Sequence, residues 1–102
     1  MLHDEPDVAV VEAARAGDPR AVDALVTGCL PLLYNVVGRA LNGHADVDDL
    51  VQDTMVRALH ALPTLRDPAR FRSWLVAIAI HLVRDRYRDR QGLRDADRQP
   101  DE

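Results

Sequence analysis

Val47-Asp48-Asp49-Leu50-Val51-Gln52-Asp53-Thr54-Met55-Val56-Arg57-Ala58-Leu59-His60-Ala61-Leu62 carries the cleanest periodicity in this 102-residue chain. Its apolar residues fall at Val47, Leu50, Val51, Met55, Ala58, Leu59 and Leu62, with Thr54 in the same stripe. Steps of three and four residues put these positions on one side of an α-helix. Asp46 stands where an N-cap is expected, Asp48 and Asp49 suit the positive helix end, and Pro63 stops the helix. The outward side reads Asp49, Gln52, Asp53, Val56 and His60. A solvated, well-capped face accounts for the charges. Val56, an apolar residue among acids, makes the same face a candidate protein-docking surface.

Upstream, Asp7 caps a short helix that runs through Ala16 and ends at Gly17. Asp18-Pro19 then joins a cap to a proline at the first helical position. The second helix has apolar residues at 22, 25, 26, 29, 33, 36, 37 and 40, in phase across Pro31. One kinked helix is therefore expected rather than two, ending at Asn42-Gly43. Downstream, Pro63 and Pro68 bracket a short loop, and Asp67-Pro68 repeats the cap-and-proline pattern. A fourth helix is expected to about Arg90, with Phe71, Trp74, Leu75, Ile78 and Leu82 as its core edge. The fold class expected is all-α, a small bundle of about four helices over residues 7–91. Residues 1–6 are expected as a flexible N-terminus, and residues 92–102 as a polar, acidic tail.

Composition agrees with one globular domain, since 47% of the residues are apolar and the length supports a single small core. Arg and Asp are expected to interrupt every apolar run, so no membrane span is predicted. The acidic N-terminus lacks a basic-then-apolar signal pattern. Cys29, the single cysteine, cannot form an internal disulfide, which fits a cytoplasmic location. The net charge of −4 alone argues against a nucleic-acid binder, but its distribution argues for one. Residues 1–65 hold ten acids against four arginines, a net of −6. Residues 66–94 hold eight arginines against three aspartates, a net of +5. Binding follows local potential, not the total. Every basic residue is Arg, the side chain best suited to planar contacts with phosphates and bases.

The fourth helix has a second stripe, Ala77, His81, Arg84 and Arg88, with Ile80 and Tyr87 beside it. Arginines four residues apart suit phosphate contacts, and Tyr87 can stack or hydrogen-bond. A solvated helix end with Arg near the negative pole accounts for the same residues, with Asp85 and Asp89 pairing locally with Arg88 and Arg86.

Two motifs break the tie. Asp48-Asp49-Leu50-Val51-Gln52-Asp53-Thr54-Met55-Val56-Arg57-Ala58-Leu59 resembles the Asp-Leu-Val-Gln-Glu-x-Phe segment of bacterial sigma factors. Phe71-Arg72-Ser73-Trp74-Leu75-Val76-Ala77-Ile78-Ala79 resembles their Phe-x-Thr-Trp-Leu-x-x-Ile-Ala segment. Ala16 to Val22 is similar to the family's approach to its first long helix. In order and at this spacing, the motifs identify domain 2 (region 2) of an extracytoplasmic-function sigma factor, of the sigma-70 superfamily. The resemblance spans roughly residues 7–90.

It implies a helical bundle of the sigma factor region 2 type that docks on RNA polymerase core and recognises the promoter minus-ten element. Asp49, Gln52, Asp53 and Val56 would face a basic coiled coil of the β′ subunit. Leu65, Arg66, Asp67 and Ala69 would form the loop that captures a base flipped from the non-template strand. Ala77, His81, Arg84, Tyr87 and Arg88 would line that strand. It further implies an anti-sigma factor as a possible partner, and a helix-turn-helix domain beyond a linker in a complete factor. Two departures bear on sequence preference rather than fold. His81 stands where many members have Asn, and Val76-Ala77 replaces a frequent Tyr-Arg.

No enzymatic constellation, cofactor site or metal site is expected. His44, His60 and His81 lack ligand spacing, and Cys29 reads as a small core residue. The rivals are a helical protein-interaction module without DNA binding and a histidine phosphotransfer bundle using His60. The phosphotransfer reading leaves the motifs and the arginine-rich fourth helix unexplained, whereas the acidic net charge favours the interaction module slightly.

Overall fold

The computed structural model of the chain describes residues 6–43 and 45–98, with side chains through Arg88. Four α-helices follow one another: α1 (Val8–Arg15), α2 (Pro19–Ala40), α3 (Val47–Ala61) and α4 (Phe71–Arg98). Two single 3₁₀ turns, Leu62–Thr64 and Pro68–Arg70, sit between α3 and α4. No strand occurs among the described residues, so the chain is all-α as expected. Expectations for residues 1–5, for His44 and for 99–102 lie outside the described residues.

Local chemistry sets most of these boundaries. The Asp7 carboxylate accepts from the Ala9 amide at 2.9 Å, and Asp18 accepts from Arg20 at 2.9 Å. Gly17, at φ +97°, turns the chain between α1 and α2. Asn42 (φ 54°) and Gly43 (φ 71°) close α2, and the Gly43 amide donates to the Gly38 carbonyl at 2.9 Å. Asp46 departs from expectation: its side chain caps nothing, and lies 3.1 Å from Arg86 of α4 instead.

α2 is the central element and touches each of the other helices. Its buried line, Ala21, Leu25, Cys29, Leu33 and Val37, meets Val11 and Ala14 of α1 and the inner stripes of α3 and α4. Contrary to expectation, α2 is long and apolar enough to cross a membrane, because no charge falls within residues 24–38. Its apolar line is used inside the bundle, where helices on three sides cover it. The α3 stripe is buried at Leu50, Val51, Thr54, Met55 and Ala58, whereas Leu59 lies at its edge, 37% exposed. Thr54 is fully buried and donates to the Leu50 carbonyl at 2.7 Å, so its hydroxyl is satisfied. Leu33, Leu50 and Leu75 are essentially sealed from solvent, and truncating any one of them to alanine should destabilise the fold by about 2–5 kcal/mol in a denaturant titration.

Two features of α4 differ from the sequence reading. The buried seam is Phe71, Leu75, Ala79 and Val83, with Trp74, Ile78 and Leu82 only partly covered. The apolar arc is wide, and α2 and α3 together grip its middle rather than the predicted edge. α4 also continues through Gly92 to Arg98, so residues 92–98 are helix, not an irregular tail. A helical glycine costs only about 1 kcal/mol relative to alanine, and neighbouring Arg, Gln, Leu and Ala favour the helix.

Candidate functional site

Burial of the inward stripe fixes the rotation of α3, and that rotation turns Asp49, Gln52, Asp53 and Val56 to solvent. Val56 is 55% exposed, the most exposed large apolar side chain among the described residues. Beside it a hollow of about 600 Å³ opens between α3 and α4, lined by Asp53, Val56, Arg57, His60, Ala61 and Leu82. An apolar floor of Val56 and Leu82, with Asp53, Arg57 and His60 at its rim, suits a partner side chain with an aliphatic stem and a polar head. Sequence reasoning missed Leu82, which it assigned wholly to the core. Asp48 faces α2, where a hydrogen bond from Tyr34, with lesser contributions from burial and the carboxylate charge, pushes the Tyr34 phenol above its ordinary range.

The loop between α3 and α4 forms a second hollow, of about 390 Å³, lined by Thr64, Leu65, Arg66, Asp67, Arg70, Ser73 and Trp74. Arg66 and Ala69 are exposed as expected, but Leu65 is not. Its side chain is 4% exposed and belongs to the core, because the Leu62–Thr64 turn points it inward. Asp67 is committed to the turn itself: it accepts from the Ala69 amide at 3.0 Å and lies 3.7 Å from Arg70 Nε. The Ala69 amide is thereby satisfied within the chain. Trp74, expected in the core, instead lies half-buried against Phe71, with ring centroids 5.8 Å apart, and forms a wall of the hollow. Arg70, Ser73 and Trp74 were not among the predicted site residues. Their positions one turn either side of the α4 start were the available signal.

The α4 stripe is open. Ala77, His81, Arg84 and Arg88 are exposed, and a shallow concavity runs across His81, Arg84, Tyr87 and Arg88. Asp85 lies among them, paired with Arg88 and 3.6 Å from His81 Nε2. Arg86 reaches Asp46 and Asp53 of the α3 region at 3.1 and 3.6 Å, while its expected pairing with Asp89 lies outside the described side chains. The Tyr87 hydroxyl donates to the Ala40 carbonyl at 3.1 Å, leaving its ring 51% exposed. The bundle thus presents an acidic, partly apolar face on α3 and a cationic one on α4, with an aromatic-walled hollow at the loop that joins them. Among the described residues no group of three or more His, Cys, Asp or Glu side chains comes together in a way that could hold a metal ion.

The chain belongs to the sigma-70 region 2 family, whose sequence profile matches residues 25–92, from the first third of α2 through most of α4. Within it, this is a region 2 domain of the extracytoplasmic-function type. It is 34% identical over 85 residues to the ECF RNA polymerase sigma factor SigC of Mycobacterium tuberculosis, covering 83% of this chain and 45% of that protein. Over 91 residues it is 36% identical to the RNA polymerase sigma factor NccH of Alcaligenes xylosoxydans xylosoxydans, covering 89% and 49%. The RNA polymerase sigma-H factor of Pseudomonas aeruginosa is 31% identical over 85 residues, covering 83% and 44%. The chain therefore spans just under half the length of these relatives.

Proposed function

We propose that this domain docks on RNA polymerase core through the α3 face and holds the melted non-template strand of a promoter minus-ten element against α4 and the preceding loop. The observation that carries this is the separation of two open surfaces of opposite charge on one small bundle. Asp49, Gln52 and Asp53 suit arginines of a β′ coiled coil, where carboxylates and an amide steer association and fix register. Val56 adds an apolar contact. On the other face, Arg84 and Arg88 suit phosphates, while His81 and the Tyr87 ring can meet bases.

The loop hollow completes the mechanism. Extruding a base costs a few kcal/mol, which a pocket offsets by contacting the base's face and edge. Trp74 supplies a ring for the face, Arg66 and Arg70 supply donors, and the Ser73 hydroxyl, which donates to the Arg70 carbonyl at 3.2 Å, keeps its oxygen as an acceptor. Asp67 acts by holding the turn, and Leu65 by anchoring it in the core. Strand opening is then a shift of equilibrium by binding, with no bond made or broken. The domain would work wherever the polymerase does, in the cytoplasm, and an anti-sigma factor would silence it by covering these faces.

Selection from a random single-stranded DNA pool by the chain bound to core polymerase tests this reading. A minus-ten-like sequence should be enriched, and binding should weaken steeply with salt. Docking without any strand enrichment would reduce the domain to a protein-interaction module.

A further inference from the structure

The buried seam of α4 ends at Val83 among the side chains described, yet Arg84 and Arg88 lie beyond it. They ride on a length of helix with little apolar burial of its own. Polar contacts hold its base instead. Arg86 lies about 160° around the helix from both Arg84 and Arg88, turned back toward the bundle. Its side chain is 28% exposed, with Nη1 3.1 Å from Asp46 and Nη2 3.6 Å from Asp53. Next to it, Tyr87 ties the helix to the C-terminal end of α2 through Ala40.

Asp53 is the point of interest, because it also belongs to the proposed docking row. Its side chain is 64% exposed, against 24% for Asp46. The outer contact is thus the longer and wetter of the two. We infer that Arg86 is a positioning residue linking the two faces: clamped between Asp46 and Asp53, it aims the arginine row and partly neutralises the docking row. This inference rests on the function proposed above. A cationic partner arriving at Asp53 competes with Arg86 Nη2, leaving the Asp46 contact as the pivot of the α4 arm. Docking and strand binding therefore share one guanidinium. The planar fork of arginine can address both carboxylates at once, which the single ammonium of lysine does less well.

Opposite signs distinguish this from a merely structural role. Core affinity is measured for the full chain, and strand affinity is measured at saturating core with the strand that the pool selection returns. Arg86→Ala should bind core about two- to threefold more tightly and the strand about fivefold more weakly, the scale of one modest charge contact. Arg86→Lys should fall between the wild type and Arg86→Ala on both measurements. Parallel loss of both affinities, or no change in strand affinity with folding intact, would overturn the inference. Failure of the wild-type chain to bind either partner would instead overturn the functional reading beneath it.

Discussion

Replacing Arg84 and Arg88 together by alanine should weaken strand binding by the chain–polymerase complex about tenfold to thirtyfold, two charge-assisted interactions at about 1 kcal/mol each. The loss should be larger for Arg84 than for Arg88. Arg88 already shares Asp85 with His81, whereas no ion pair holds Arg84 among the described residues. The salt dependence must change as well. Each phosphate of a single strand that goes without its arginine lowers the slope of log affinity against log salt by about 0.7, so the double variant should show a slope about 1.4 shallower. Core docking should stay at the wild-type level, because both side chains point away from α3. Titration of a labelled strand at several salt concentrations measures both quantities. An unchanged slope would mean that these arginines touch no phosphate.

Gln52→Ala with Asp53→Ala should weaken core binding about tenfold while leaving the fold intact, since both residues are exposed. The effect should fall mainly on the association rate for the exposed carboxylate and shrink at high salt. Asp53 also neighbours Arg86, so a companion variant is needed. Asp49→Ala with Gln52→Ala spares that ion pair and should weaken docking to a similar degree. Association kinetics with core polymerase separate these effects. Full-strength docking by both variants would exclude the α3 face as the interface.

The fold was legible because its helices are punctuated. Asp7, Asp18-Pro19, Asn42-Gly43 and Asp67-Pro68 mark helix ends by local hydrogen bonding and backbone geometry, and local rules read such signals well. The exposed acids of α3 and the arginine row of α4 were legible for a related reason: helical phase alone decides which residues face outward. What escaped was decided by tertiary packing. Leu65 is buried because the Leu62–Thr64 turn rotates the chain where no periodicity exists to reveal it, and Trp74 is only partly buried because α2 and α3 grip the middle of the wide apolar arc of α4. Asp46 gave up its cap for Arg86, a partner forty residues away that no local pattern marks. The fourth helix, expected to about Arg90, runs on through Gly92, because a glycine that no positive-φ turn requires only weakens a helix that can still continue.

A photo-crosslinking amino acid placed at position 52 or at position 81 of the full chain, in complex with core polymerase and an opened promoter, is the most direct measurement. Position 52 should label the β′ subunit and position 81 the non-template strand, each without the other. Labelling of the DNA strand from position 52, or of polymerase alone from position 81, would contradict the assignment of separate partners to the two faces.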